Sequence, residues 1–190
     1  MQKWRSPDIA FIVLAASVLL IFITVAAYNR LVSLRNRMQN AWSDIDIQLK
    51  RRHDLVPNLV EAARGYMQHE RETLEQVTSA RSQAVASGSD LSARIPAEML
   101  LSGALGNLFL RSENYPQLRA TKNFQLLEEQ ITSTENCIAY ARQFYNECAR
   151  RYNTALAIFP QNLLAAACGF SQATLFAPEA AERAVPQAHT

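Results

Sequence analysis

The chain has 190 residues, the length of one ordinary domain or of a smaller domain with an appendage. Its formal net charge of +2, from 19 basic and 17 acidic residues, carries no general polyanion-binding signature and argues against a nucleic-acid partner. Only 5 glycines occur, where average usage of about 7% predicts roughly 13, so a many-stranded β fold and a glycine-rich phosphate loop are both disfavoured.

Residues 9–28 form an unbroken uncharged run, IAFIVLAASVLLIFITVAAY, opening on Ile9 and closing on Tyr28. Twenty helical residues span about 30 Å, the thickness of a bilayer core. Trp4 and Tyr28 bracket the run as interfacial aromatics do, and Lys3, Arg5, Arg30, Arg35 and Arg37 flank it. A cleaved signal peptide would have a shorter apolar core followed by a small-x-small site, whereas this run leads straight into a helical pattern. A retained single-pass anchor in the lipid bilayer is therefore expected. Two basic residues and the α-amino group precede it and three follow. That count leans to a cytoplasmic C-terminal domain and leaves the side open.

Leu31, Leu34, Met38, Ala41, Ile45 and Leu49 recur at helical spacings, so the anchor is expected to continue as one rod. Pro57 is expected to interrupt it, with Asp54 capping a new helix that turns Leu59, Ala63, Tyr66, Leu74, Val77 and Ala84 inward. That helix would expose Glu72, Glu75 and Arg81. Ser87, Gly88, Ser89 and Asp90 read as a loop, with Asp90 capping the next helix and Pro96 in its first turn. Residues 97–113 are apolar on most faces, which predicts a helix buried on several sides. Gly103 and Gly106 lie inside it and point to close helix contacts. Gly65 likewise falls inside a helical pattern.

Tyr115 and Pro116 end that segment. Phe124, Ile131, Ile138, Tyr145, Tyr152 and Phe159 then recur every seven residues, with Leu127, Thr134, Ala141, Cys148 and Ala155 between them. This is an a/d seam that packs in a bundle, against helices of this chain or of another. A short apolar stretch follows Pro160 and ends at Gly169. Phe176 is the last large apolar residue, and the tail from Pro178 is expected to be disordered.

The sequence carries little recognisable catalytic chemistry. No Glu-x-x-His pair, HExxH zinc site, GxSxG, P-loop or GxGxxG occurs. No cofactor or metal is expected, and the chain reads as non-enzymatic. His53 and His69 read as surface histidines. Cys137, Cys148 and Cys168 are too few and too far apart for a disulfide framework and read as small buried hydrophobes. Lys50, Arg51 and Arg52 form a basic cluster about 33 Å along a straight helix from Tyr28, so pairing with Asp54, Glu61 or an acidic neighbouring helix is preferred over lipid contact. Tyr145-Asn146 and Tyr152-Asn153 repeat seven residues apart. A buried tyrosine must satisfy its hydroxyl, so they read as a polar layer fixing helix register or as a recognition surface for a partner.

These residues resemble the bacterial LemA proteins. The likeness begins at Tyr28-Asn29-Arg30-Leu31-Val32 and is densest through Ala41-Trp42-Ser43, Ile45-Asp46 and Gln48-Leu49-Lys50-Arg51-Arg52. It continues through Asp54-Leu55, Pro57-Asn58-Leu59-Val60, Gly65-Tyr66, His69-Glu70, Tyr115-Pro116-Gln117-Leu118, Asn123-Phe124, Thr134-Glu135-Asn136, both Tyr-Asn pairs and Phe159-Pro160. It covers about residues 28–176; His53 and the tail lie outside its motifs. The resemblance implies a membrane-anchored helical bundle with no established catalytic activity. It also implies association with magnetosome membranes, TPM-domain proteins or membrane metalloproteases, hence scaffolding or adaptor work.

The expected architecture is all-α: leader and transmembrane anchor at 1–28, an antiparallel bundle of long helices at 29–176, and a tail at 177–190. The expected function is a self-associating scaffold in the plasma membrane of the bacterial envelope, a homo-oligomer. The alternative is an adaptor for a membrane protease or envelope-stress system. Candidate interaction or bundle-register residues are Trp42, Arg51, Arg52, Asp54, Pro57, Gly103, Gly106, Tyr145, Asn146, Tyr152 and Asn153.

Overall fold

The computed structural model describes residues 6–88 and 91–176, with side chains from 10–88 and 93–176. The expectations for Lys3, Trp4, Arg5, Ser89, the Asp90 cap and the tail from residue 177 lie outside the described residues. Six helices follow in order: α1 (Ser6–Arg64), α2 (Arg71–Ala86), α3 (Leu91–Ser112), α4 (Pro116–Arg119), α5 (Lys122–Ala157) and α6 (Gln161–Cys168). No strand occurs among the described residues, and the chain is all-α as its composition predicts.

α1 runs unbroken through 59 residues with Pro57 inside it, so neither the interruption at Pro57 nor the cap at Asp54 occurs. The physical reason lies in α2. Proline removes the N–H that would bond the carbonyl four residues back. That carbonyl belongs to His53, and the Arg81 Nε donates to it at 2.7 Å. Arg81 is thereby half-buried rather than part of the exposed face. The chain breaks later, at Gly65 and Tyr66, where Tyr66 and Met67 N–H groups both bond the Ala63 carbonyl. Gly65 thus sits in a turn, and Tyr66 is exposed while Met67 is fully buried.

The chain divides into two compact units. The first combines the described residues to Ala41 with Tyr145–Leu175. Its core gathers Leu31, Tyr152, Ala155, Leu156 and Ala165. α6 ends at Gly169, whose φ of 71° is left-handed, and the Phe170 N–H closes the helix on the Ala165 carbonyl at 3.0 Å. Residues 170–176 have no regular structure and form a strap.

The second unit comprises Trp42–Phe144 with Phe176. Residues 56–63 of α1 share one core with Phe124 and Ile131 of α5, while Arg52 reaches Glu135. α1 and α5 are therefore antiparallel here. Each fully buried Leu, Ile or Phe in this core contributes about 1.5–3 kcal/mol. α3 begins at Leu91, which places Pro96 in the second turn rather than the first. It buries one line only, Glu98, Leu101, Leu105, Leu108 and Ser112. Met99, Leu100 and Leu110 are exposed, against the expectation of burial on several sides.

The a/d seam of α5 is buried against helices of this chain at Phe124, Leu127, Ile131, Thr134, Ile138, Tyr145, Tyr152 and Ala155. Toward its end the buried line drifts onto Ala149 and Leu156, as a 3.6-residue helix drifts from a strict heptad. Phe159 lies past the helix end and is 73% exposed. The cysteines are not buried: Cys137 and Cys168 are exposed, Cys148 is intermediate, and all three are free.

Candidate functional site

α1, α3 and α5 place a charged cluster inside the second unit. Arg52 occupies a buried position on the α1 stripe, one helical repeat beyond Leu49, and its side chain is 0% exposed. A guanidinium there requires partners on every side. It donates to Glu98 Oε2 at 2.5 Å, to the Glu98 carbonyl at 3.3 Å and to Ser102 Oγ at 2.7 Å, and it pairs with Glu135 Oε1. Ser102 Oγ donates in turn to Glu135 Oε2 at 3.2 Å.

Glu98 lies on the buried line of α3 and gathers three cations or donors. Besides Arg52 it faces His53 Nε2 at 3.1 Å and Arg94 Nε at 3.9 Å. Burial pushes its carboxyl pKa up, but the His53 hydrogen bond and the Arg52 charge outweigh that and hold it below the usual value. Arg94 also pairs with Asp46 Oδ1 at 2.8 Å and lies 5.5 Å over the Trp42 ring. Trp42 stacks on Phe176 with centroids 5.6 Å apart, and Arg142 covers the other ring's face region at 5.5 Å.

His53 is thus buried rather than a surface histidine. The signal for it was periodic: the α1 stripe continues past Leu49 through 52, 53 and 56, so polar residues there must be enclosed. Glu98 stands three residues before Leu101 on the same helical line, which marks it equally. Pairing of the basic cluster with acidic neighbouring helices holds for Arg52; Lys50, Arg51 and Asp54 are exposed.

In the first unit the Tyr-Asn repeat grips the strap. Tyr145 OH donates to the Thr174 carbonyl at 2.9 Å. Asn153 Nδ2 donates to the Ala173 carbonyl at 2.9 Å, and its Oδ1 accepts from the Ala173 N–H at 2.8 Å. Burial raises the pKa values of both Tyr145 and Tyr152. Tyr152 is buried beside Leu31, and Asn146 is intermediate.

Pro57 is exposed on α1. Gly103 and Gly106 are exposed as well, and a Cβ at either would meet nothing within 4 Å, so no helix of this chain approaches them closely. Among the described residues no group of three His, Cys, Asp or Glu side chains could hold a metal ion. In the charged cluster each carboxylate is engaged by arginine, which suits fixing the register of three helices.

An all-α chain with internal ion pairs and one helix long and apolar enough to cross a membrane defines a helical-bundle protein consistent with membrane association. The LemA family model matches residues 41–189, and the chain belongs to the LemA family. It is 27% identical over 162 residues to Protein LemA of Metamycoplasma hominis, covering 85% of this chain and 74% of that one. It is 24% identical over 199 residues to Magnetosome protein MamQ 2 of Paramagnetospirillum magneticum, covering 90% and 73%. MamQ of Magnetospirillum gryphiswaldense is 23% identical with the same coverage. None of these names denotes an enzymatic activity.

Proposed function

We propose that this chain is a non-enzymatic, single-pass membrane protein whose bundle self-associates into a scaffold of the bacterial envelope. The exposed face of α3 carries the proposal. Met99, Leu100, Gly103, Gly106 and Leu110 line it over three turns without a charge, although soluble surfaces are normally interspersed with charge. Beside it a groove of about 670 Å³ runs between α2 and α3, lined by Leu100, Gly103 and Ala104 opposite Glu72, Glu75 and Gln76. Ridge and groove on one surface meet the condition for a two-fold contact between copies. The α5 seam is filled within the chain and adds no such surface. Similarity to proteins named for the magnetosome is in keeping with a role in a membrane assembly.

Sedimentation of the full chain in mild detergent tests this. An oligomer that falls to monomer on Leu110→Arg supports it, and a wild-type monomer at micromolar concentration overturns it. The adaptor reading rests on the exposed polar face of α1, with Lys50, Arg51, Asp54 and Glu61 beside exposed Ile47. It predicts crosslinks from that face to a membrane protease or envelope-stress protein, and self-contacts alone would remove it.

A further inference from the structure

The first unit collects its apolar surface where the anchor ends. Ala10 to Ala26 are exposed without exception, but Ala27 is buried and Leu31 is fully enclosed. The covering elements are the end of α5, α6 and the strap: Leu156 and Ala165 share a core with Leu31, and Phe170 meets the Tyr28 ring edge-on at 6.0 Å. The strap begins at Tyr28 and reaches Tyr145 four residues later. The C-terminal end of α5, and not its Tyr145 end, therefore lies beside the anchor. The corner joining α5 to α6 is within about one helical turn, some 5 Å, of residues packed on Leu31.

That corner is apolar and open. Phe159 is 73% and Leu163 63% exposed, and Ile158 is exposed as well. No charged residue occurs between Arg151 and Glu179. A charge-free, exposed apolar corner at the level where the spanning helix leaves the hydrocarbon matches the dielectric of the headgroup–acyl boundary, which takes amphipathic segments to a depth of about 5–10 Å. In water Phe159 and Leu163 would stay solvated, beside the exposed but uncharged Asn162.

We propose that the α5–α6 corner is a second membrane contact, with Ile158, Phe159 and Leu163 inserted into the lipid interface beside the anchor. This rests on the reading of α1 as a membrane span. One inserted corner next to a single helix fixes the rotation of that helix about its own axis, because only one azimuth sinks the corner.

Spin labels on the full chain in lipid vesicles test it. Labels are placed at Val18→Cys, Leu163→Cys and Glu61→Cys in a background with the three native cysteines replaced by Ser or Ala. Collision with oxygen is compared with collision with a water-soluble nickel chelate. The expected result is an oxygen-to-nickel ratio at 163 several-fold above that at 61, approaching that at 18. A high ratio at 18 with a water-like ratio at 163 overturns the corner and keeps the span. A water-like ratio at 18 overturns both. Low collision with both agents at 163 assigns the corner to a protein partner and likewise overturns the proposal. Phe159→Cys serves as a second probe should the label at 163 disturb α6.

Discussion

Replacing Arg52 with methionine keeps the aliphatic stem and removes the guanidinium. The side chains involved are 0% exposed for Arg52, 2% for Glu98 and 31% for Glu135. Glu135 can turn toward water. Glu98 cannot, and keeps only His53 and the more distant Arg94. Breaking a buried pair costs about 3–5 kcal/mol, and the remaining partners place this case near 3. That is on the order of a hundredfold in the folding equilibrium. Guanidinium unfolding of the full chain in mild detergent, followed by circular dichroism, reads the loss. Adding Glu98→Leu removes the stranded carboxylate and is expected to recover about 2 kcal/mol or more, since a packed apolar pair replaces a buried ionic one at little cost. The pH dependence follows from the lowered Glu98 pKa. A carboxyl depressed in the folded state contributes stability above about pH 4.3, the ordinary glutamate value. It loses that stability as pH falls through the lower native value. The Arg52→Met protein is expected to lose part of this acid sensitivity. A cost under about 1 kcal/mol, or a double variant as unstable as the sum of the singles, refutes the account.

Arg81→Met leaves the His53 carbonyl without its donor and is expected to cost about 1–2 kcal/mol; in a Pro57→Ala background, where the backbone N–H returns, the same change should cost measurably less in the same unfolding assay. Asn153→Ala removes two bonds to Ala173 and is expected to loosen the strap by about 1–2 kcal/mol, seen as faster hydrogen exchange at Ala173 and earlier proteolysis of residues 170–176. Gly169→Ala forces a side chain into the left-handed region and is expected to destabilise by about 1 kcal/mol in thermal melts. Native-state maleimide labelling should modify Cys137 and Cys168 rapidly and Cys148 more slowly.

Local rules of the chain were readable where they acted alone. The charge-free run at 9–28 and the 3,4 spacing of α5 each report on a single helix, and each helix is there; the scarcity of glycine reports on the all-α class. Pro57 escapes the rule that proline ends a helix because that rule is local, while the replacement donor, Arg81, arrives from another helix. The break instead used Gly65, whose helical surroundings disguised it. The charged cluster was half legible. Arg52 stood out as basic, but Glu98 and Glu135 are ordinary exposed-looking residues until the buried lines of α3 and α5 are extended through them. The Tyr-Asn repeat was visible as a repeat; that its partner is the strap could not be read, because residues 170–176 have no periodicity of their own.

The strap sets an order of events in synthesis. Residues 170–174, which meet Tyr28 and satisfy Tyr145 and Asn153, leave the ribosome after every helix of the first unit. The helix α1 is translated long before them. Until they emerge, α5 and α6 cover Leu31, but the Asn153 amide has no strap backbone to pair with. A chain cut short before residue 173 would carry its long helices and still leave the Asn153 amide without the Ala173 backbone, a local mark of incompleteness.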